Sequence, residues 1–172
     1  MKCILAVAVA AVLSCPLMVS AALDETLRVK ETVEIDAPAD VVWEKIGNFG
    51  DMSWHPAVAS TEIVEGKQDE VGAKRTLTLQ DGGKIHEVLT ARDAESKTLK
   101  YEITESVLPL RDYSATLTVQ ANGTKSKIVW KSMFKRQDPA HPGAAGKDDK
   151  AATDVITGIF QSGLANVKKI IK

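Results

Sequence analysis

Cysteine is nearly absent from this chain of 172 residues, and its two cysteines, Cys3 and Cys15, both sit near the N-terminus. If that leader is removed, the rest of the chain holds no thiol. Thiol catalysis and a cysteine-ligated metal are then excluded. Net charge is nearly absent as well: 22 basic and 23 acidic residues give −1. The two signs are interspersed rather than blocked, so nothing argues for nucleic acid or an anionic membrane surface as partner. Near-neutrality also implies that contact with a protein partner would not depend steeply on salt. The histidines, His55, His86 and His141, are scattered without ligand spacing, so no metal site is expected. The chain has no glycine-rich phosphate loop, nucleophile elbow or haem-attachment pair, and no cofactor is expected. No internal repeat is visible.

What is present begins with a leader. Lys2, the apolar run Ile4 to Leu13 and the small-residue site Val19-Ser20-Ala21 read as a signal peptide over residues 1–21. Ser20-Ala21-Ala22 is a second cleavage option. Ser14, Cys15, Pro16 and Ser20 interrupt the apolar stretch, which argues against a membrane span. Val12-Leu13-Ser14-Cys15 matches a lipoprotein box poorly, and a lipid anchor at Cys15 is the alternative to a soluble periplasmic form. Cleavage after Ala21 removes Lys2, leaving 21 basic against 23 acidic residues. Residues 22–172 then make one domain, large enough to rely on its core without disulfides.

Apolar alternation marks a strand from Leu27 to Ile35. Asp36-Ala37-Pro38 starts a short helix through Ile46. Gly47 to Pro56 is irregular or a second short helix. Six strand-like runs follow: Val58–Val64, Ala73–Leu79, Lys84–Arg92, Thr98–Glu105, Tyr113–Ala121 and Thr124–Phe134. Asp81-Gly82-Gly83 and Asn122-Gly123 are hairpin signals, so neighbours pair antiparallel. Asp148 to Lys172 is a long helix whose apolar stripe includes Ile156, Phe160, Leu164 and Val167. The fold class is α+β, a curved antiparallel sheet gripping the C-terminal helix, with Gly158 and Gly163 leaving room for a cavity.

Two strands carry a charge on the face that should be apolar. Arg75 shares a face with Ala73, Leu77 and Leu79; Glu87 shares one with Ile85, Leu89 and Ala91. A buried charge costs several kcal/mol unless it is paired or solvated, so either the two neutralise each other or their face lines a wet cavity. The same parity turns Tyr101, Tyr113, Trp130 and Ser132 inward. His55, between Trp54 and Pro56, either caps a turn or acts at a cavity mouth. Trp43 and Trp130 read as core residues first and ligand stackers second.

Several motifs together resemble the SRPBCC superfamily, the START/Bet v 1-like helix-grip proteins, and within it the polyketide cyclase/dehydrase branch. They are Ala37-Pro38-Ala39-Asp40-Val41-Val42-Trp43, Trp54-His55-Pro56-Ala57-Val58, Val71-Gly72-Ala73-Lys74-Arg75-Thr76-Leu77, Glu87-Val88-Leu89, Tyr101, and Leu108-Pro109-Leu110-Arg111-Asp112-Tyr113. The resemblance runs from about Val29 to the C-terminus and implies a helix-grip fold with two short helices after the first strand. The leader and Asn48-Phe49-Gly50-Asp51-Met52-Ser53-Trp54-His55-Pro56 further resemble the MxaD family of exported accessories of bacterial methanol oxidation. That implies a non-redox helper between methanol dehydrogenase and its cytochrome, with a small hydrophobic ligand as a further partner. Ligand contacts would fall to Trp54, His55, Arg75, Glu87, Tyr101, Tyr113, Trp130 and Phe160. The alternative is a cavity enzyme, a cyclase, lyase or isomerase, in which Arg75 steadies an anion, Glu87 moves a proton and Tyr113 donates a hydrogen bond.

Overall fold

The computed structural model describes residues 24–139 and 148–171; the expected signal peptide and His141 lie outside them. The elements are β1 (Leu27–Ile35), α1 (Ala39–Ile46), β2 (Val58–Glu65), β3 (Lys74–Leu79), β4 (Lys84–Asp93), β5 (Thr98–Ser106), β6 (Leu110–Asn122), β7 (Lys125–Arg136) and α2 (Asp149–Ile170). The strands form one antiparallel sheet in the order β1-β7-β6-β5-β4-β3-β2. Consecutive hairpins build six of them side by side, and β1 closes the series by pairing with β7. β4, β6 and β7 bury alternate residues on the face toward α2, which packs on β1 and β7. This is the helix-grip, Bet v 1-like architecture that the order of elements implies.

Helix α2 starts where Asp148 accepts a hydrogen bond from the Ala151 N–H at 2.7 Å, with Asp149 in its first turn and Lys168 and Lys169 in its last. Both arrangements suit the helix dipole. Ala152, Ile156, Phe160, Gly163, Leu164 and Val167 form its buried stripe.

Of the two short helices expected after β1, only α1 forms; residues 47–57 run as turns. Side chains capture the backbone there. Asn48 Oδ1 accepts from the Gly50 N–H at 2.8 Å, and Asp51 Oδ1 accepts from the Ser53 N–H at 2.8 Å. Such turns compete directly with helical hydrogen bonding. The segment is nevertheless firmly held. The Phe49 N–H donates to Asp69, the Gly47 carbonyl accepts from Arg92, and the Met52 N–H donates to Thr61.

The two helix glycines do not leave room for a cavity. Gly158 is exposed, and nothing approaches the position a Cβ would take. Gly163 is buried against the loop, and a Cβ there would lie 2.5 Å from His55 Cδ2 and 3.1 Å from Trp130. Its missing side chain lets α2 close on the sheet. Gly163→Ala is therefore expected to cost about 1–3 kcal/mol through overpacking. Gly158→Ala should be neutral or stabilising by up to about 1 kcal/mol, from helix propensity alone. Urea unfolding of the two variants beside the parent checks both signs.

Candidate functional site

The ion pair comes first because the hairpin register creates it. In the β3–β4 ladder Arg75 stands directly opposite Glu87. Cross-strand partners share a face, and here the face is the buried one. Arg75 is 1% exposed and Glu87 4%. Arg75 Nε donates to Glu87 Oε2 at 2.6 Å, and Nη1 donates to the Phe49 carbonyl at 2.6 Å. The guanidinium also lies over the Phe49 ring at 4.2 Å and near the Tyr101 ring at 5.4 Å. Burial pushes the Glu87 carboxyl above its ordinary range, and Arg75 pulls it part of the way back.

A half-open cavity of about 80 Å³ lies between the sheet and α2. Its wall carries His55, Glu87, Tyr101, Tyr113, Trp130 and Phe160, set among aliphatic side chains. Six of the eight expected ligand contacts are thus brought together. The other two, Arg75 and Trp54, stand behind the wall. Arg75 points its donors at Glu87 and the Phe49 carbonyl, and Trp54 packs edge-on to His55 at 5.8 Å between ring centres. Strand parity shows Leu77 and Ile85 beside the pair, whereas Leu108, in the β5–β6 loop, carried no periodic signal.

Most of the polar groups on the wall are engaged by the protein itself. The Trp130 indole N–H donates to the Tyr101 hydroxyl at 3.0 Å. Burial, then Tyr101 and Glu87, raise the Tyr113 pKa well above the ordinary phenol value. The Tyr101 phenol is likewise pushed upward, chiefly by burial. Trp130 and Phe160 stack across the sheet–helix gap at 4.1 Å and 12°.

His55 is a latch rather than a free base. Its Nδ1 accepts the Ala57 N–H at 3.2 Å, so Nε2 carries the proton and meets the Ile159 carbonyl of α2 at 2.9 Å. Asn166 Nδ2 adds a bond to the Trp54 carbonyl at 2.8 Å. Together they fasten the 47–57 segment to α2. Burial lowers the His55 pKa, and its bond to Ile159 offsets only part of that.

The comparisons with known proteins fit this geometry. A sequence model of the family described as polyketide cyclase/dehydrase and lipid transport matches residues 26–172. Among curated proteins, none matches. Solved structures share the fold. Protein XoxI from Bacillus cereus superposes with a TM-score of 0.74 at 24% identity, over 84% of this chain and 94% of that one. A protein from Nitrosospira multiformis gives 0.70 at 22%, over 85% and 97%. Ara h 8.0201 gives 0.66 at 22%, over 86% and 98%.

Two predictions follow from the site. Removing one partner strands the other in the interior, so Arg75→Met or Glu87→Leu alone should cost about 3 kcal/mol or more. The double variant should cost much less than the sum, and a double-mutant cycle in urea measures the coupling. Additive costs would mean that the two groups do not interact. For His55, the folded chain holds the neutral ring while the unfolded chain takes up a proton below its ordinary value of 6.5. Stability should therefore fall as the pH drops through that value toward the lowered folded pKa. His55→Asn should flatten the slope between neutral and mildly acid pH, read from urea midpoints at several pH values.

Proposed function

The chain belongs to the polyketide cyclase/dehydrase and lipid transport family, and we propose that it works there as a non-catalytic, exported accessory protein that binds a small apolar molecule. One observation carries this reading: Glu87, His55, Tyr101 and Trp130, which line the cavity, each bond a partner within the protein. Glu87 is held by Arg75, His55 by two backbone groups, and Tyr101 by Trp130. A general acid or base needs a proton or lone pair free to meet substrate. A binding chamber needs only an apolar wall and a few fixed polar groups to set orientation.

The size of the chamber narrows the ligand. A water needs roughly 10–15 Å³ of probe-occupied volume, so about 80 Å³ suits a small organic molecule rather than an extended acyl chain. The partner reading rests on the Asn48–Pro56 stretch and its resemblance to the MxaD protein, with residues 1–21 as the signal peptide that directs the chain to the periplasm. A chain without its own redox group promotes electron transfer only by orienting partners or clearing an inhibitor, so its effect falls on coupling rate or affinity.

The test is cytochrome reduction by purified methanol dehydrogenase, with and without stoichiometric protein. The expected result is faster coupled reduction, with no turnover of methanol by the protein alone. Unchanged coupling, alongside a cyclase, lyase or isomerase activity lost on Glu87→Gln, would replace this reading with the enzyme.

A further inference from the structure

The outer face of the sheet, turned away from α2 and the chamber, carries a row of like charges. Lys30 on β1 stands opposite Lys131 on β7; Lys131 stands opposite Thr116 on β6, and Thr116 opposite Lys100 on β5. The three lysines alternate with buried neighbours, Val29, Trp130 and Tyr101 among them, so all three point outward, and all are exposed. None of the three forms a hydrogen bond or ion pair among the described residues, whereas cations at the ends of the sheet are matched: Lys125 with Asp36 at 2.6 Å, Lys135 with Asp24 at 2.9 Å, Lys97 with Asp40 at 2.8 Å. Two acids share this face: Glu34 stands opposite Lys127 toward one end of β1, and Glu102, two residues from Lys100 on β5, stands opposite Ser114 in the adjacent row. Arg28 extends the basic surface by one row and, with Lys30, Lys131, Thr116 and Met133, borders a depression of about 410 Å³.

Like charges directly opposite one another destabilise a sheet. A chain whose other cations are mostly neutralised thus keeps an unmatched row at some cost to its own stability. We propose that this row docks an acidic protein surface, one that presents carboxylates about one helical turn apart. Adjacent strands lie about 4.8 Å apart, so Lys131 stands roughly 5 Å from Lys30 and roughly 10 Å from Lys100 across the strands. Carboxylates one turn apart on a helix are spaced about 5.4 Å, which matches a helix lying across the strands. The chemistry favours a protein over a bilayer, because a membrane-binding face inserts apolar or aromatic side chains. On this face Met133, 47% exposed, is the large apolar group that stands out, and no aromatic joins it. The near-neutral charge of the whole chain hides this local field, so docking here is salt-sensitive.

The experiment uses the purified protein and an alanine-based helical peptide with glutamates at i, i+4, i+8 and i+12, beside the same peptide with glutamines. Amide chemical shifts locate the contact without any substitution. The expected result is that the glutamate peptide shifts the amides of Lys30, Lys100, Lys131 and their neighbours, that binding weakens at physiological salt, and that the glutamine peptide does nothing. K30Q/K100Q/K131Q should weaken binding by roughly tenfold or more with an undiminished thermal midpoint, since it removes repulsion rather than contacts. Equal binding by that variant, shifts elsewhere on the molecule, or no peptide binding would overturn the proposal. So would binding to phosphatidylglycerol vesicles in place of the peptide. The chamber lies on the opposite face of the sheet, so neither outcome bears on the binding reading above.

Discussion

The interior of this protein is organised around one buried guanidinium. Arg75 and Glu87 face each other because the β3–β4 hairpin sets their register, and burial makes their contact obligatory. Arg75 has a second task. By donating to the Phe49 carbonyl it ties the turn segment after α1 to the sheet. That segment then presents His55 and the Trp54 carbonyl to α2, which accepts one bond at Ile159 and returns another from Asn166. Sheet, segment and helix are thus joined in series, with Gly163 supplying the close approach. The chamber is the space these three leave between them.

That order explains the character of the chamber. A charge placed on its wall would demand water or a counter-ion in the cavity, but Glu87 already has its counter-ion on the far side. Trp130 donates to Tyr101, and the remaining surface is mostly aliphatic and aromatic. The result is a small, apolar, pre-formed space whose few polar atoms are fixed in direction. An apolar wall with a few oriented polar groups is the geometry of a small-molecule binding site.

Much of this was legible in the sequence where the signal was local. Period-two alternation and the turns at Asp81-Gly82-Gly83 and Asn122-Gly123 foretold the strands, their antiparallel pairing and the meeting of Arg75 with Glu87. The helix stripe foretold which face of α2 is buried. What stayed hidden depends on contacts distant in the chain. Strand parity put Arg75 on the wall, because it cannot reveal that the Phe49 carbonyl, 26 positions earlier, draws the guanidinium back. Nor can a sequence window show that both nitrogens of His55 are taken by backbone, or that Gly163 is filled by His55 rather than left open. The lysine row was invisible for the same reason: positions 30, 100 and 131 become neighbours only through the β1–β7–β6–β5 ladder. A nearly balanced composition said nothing about it.

The most direct test of the central claim, that Glu87, His55, Tyr101 and Trp130 are bonded within the protein and leave a mostly apolar chamber, is diffraction from crystals pressurised with xenon. Xenon enters dry apolar cavities and leaves polar, hydrated ones. The expected result is a xenon peak between Tyr101, Trp130 and Phe160, with Glu87 still bonded to Arg75. A chamber filled instead by ordered waters bonded to Glu87 and Tyr113, with no xenon, would contradict the account.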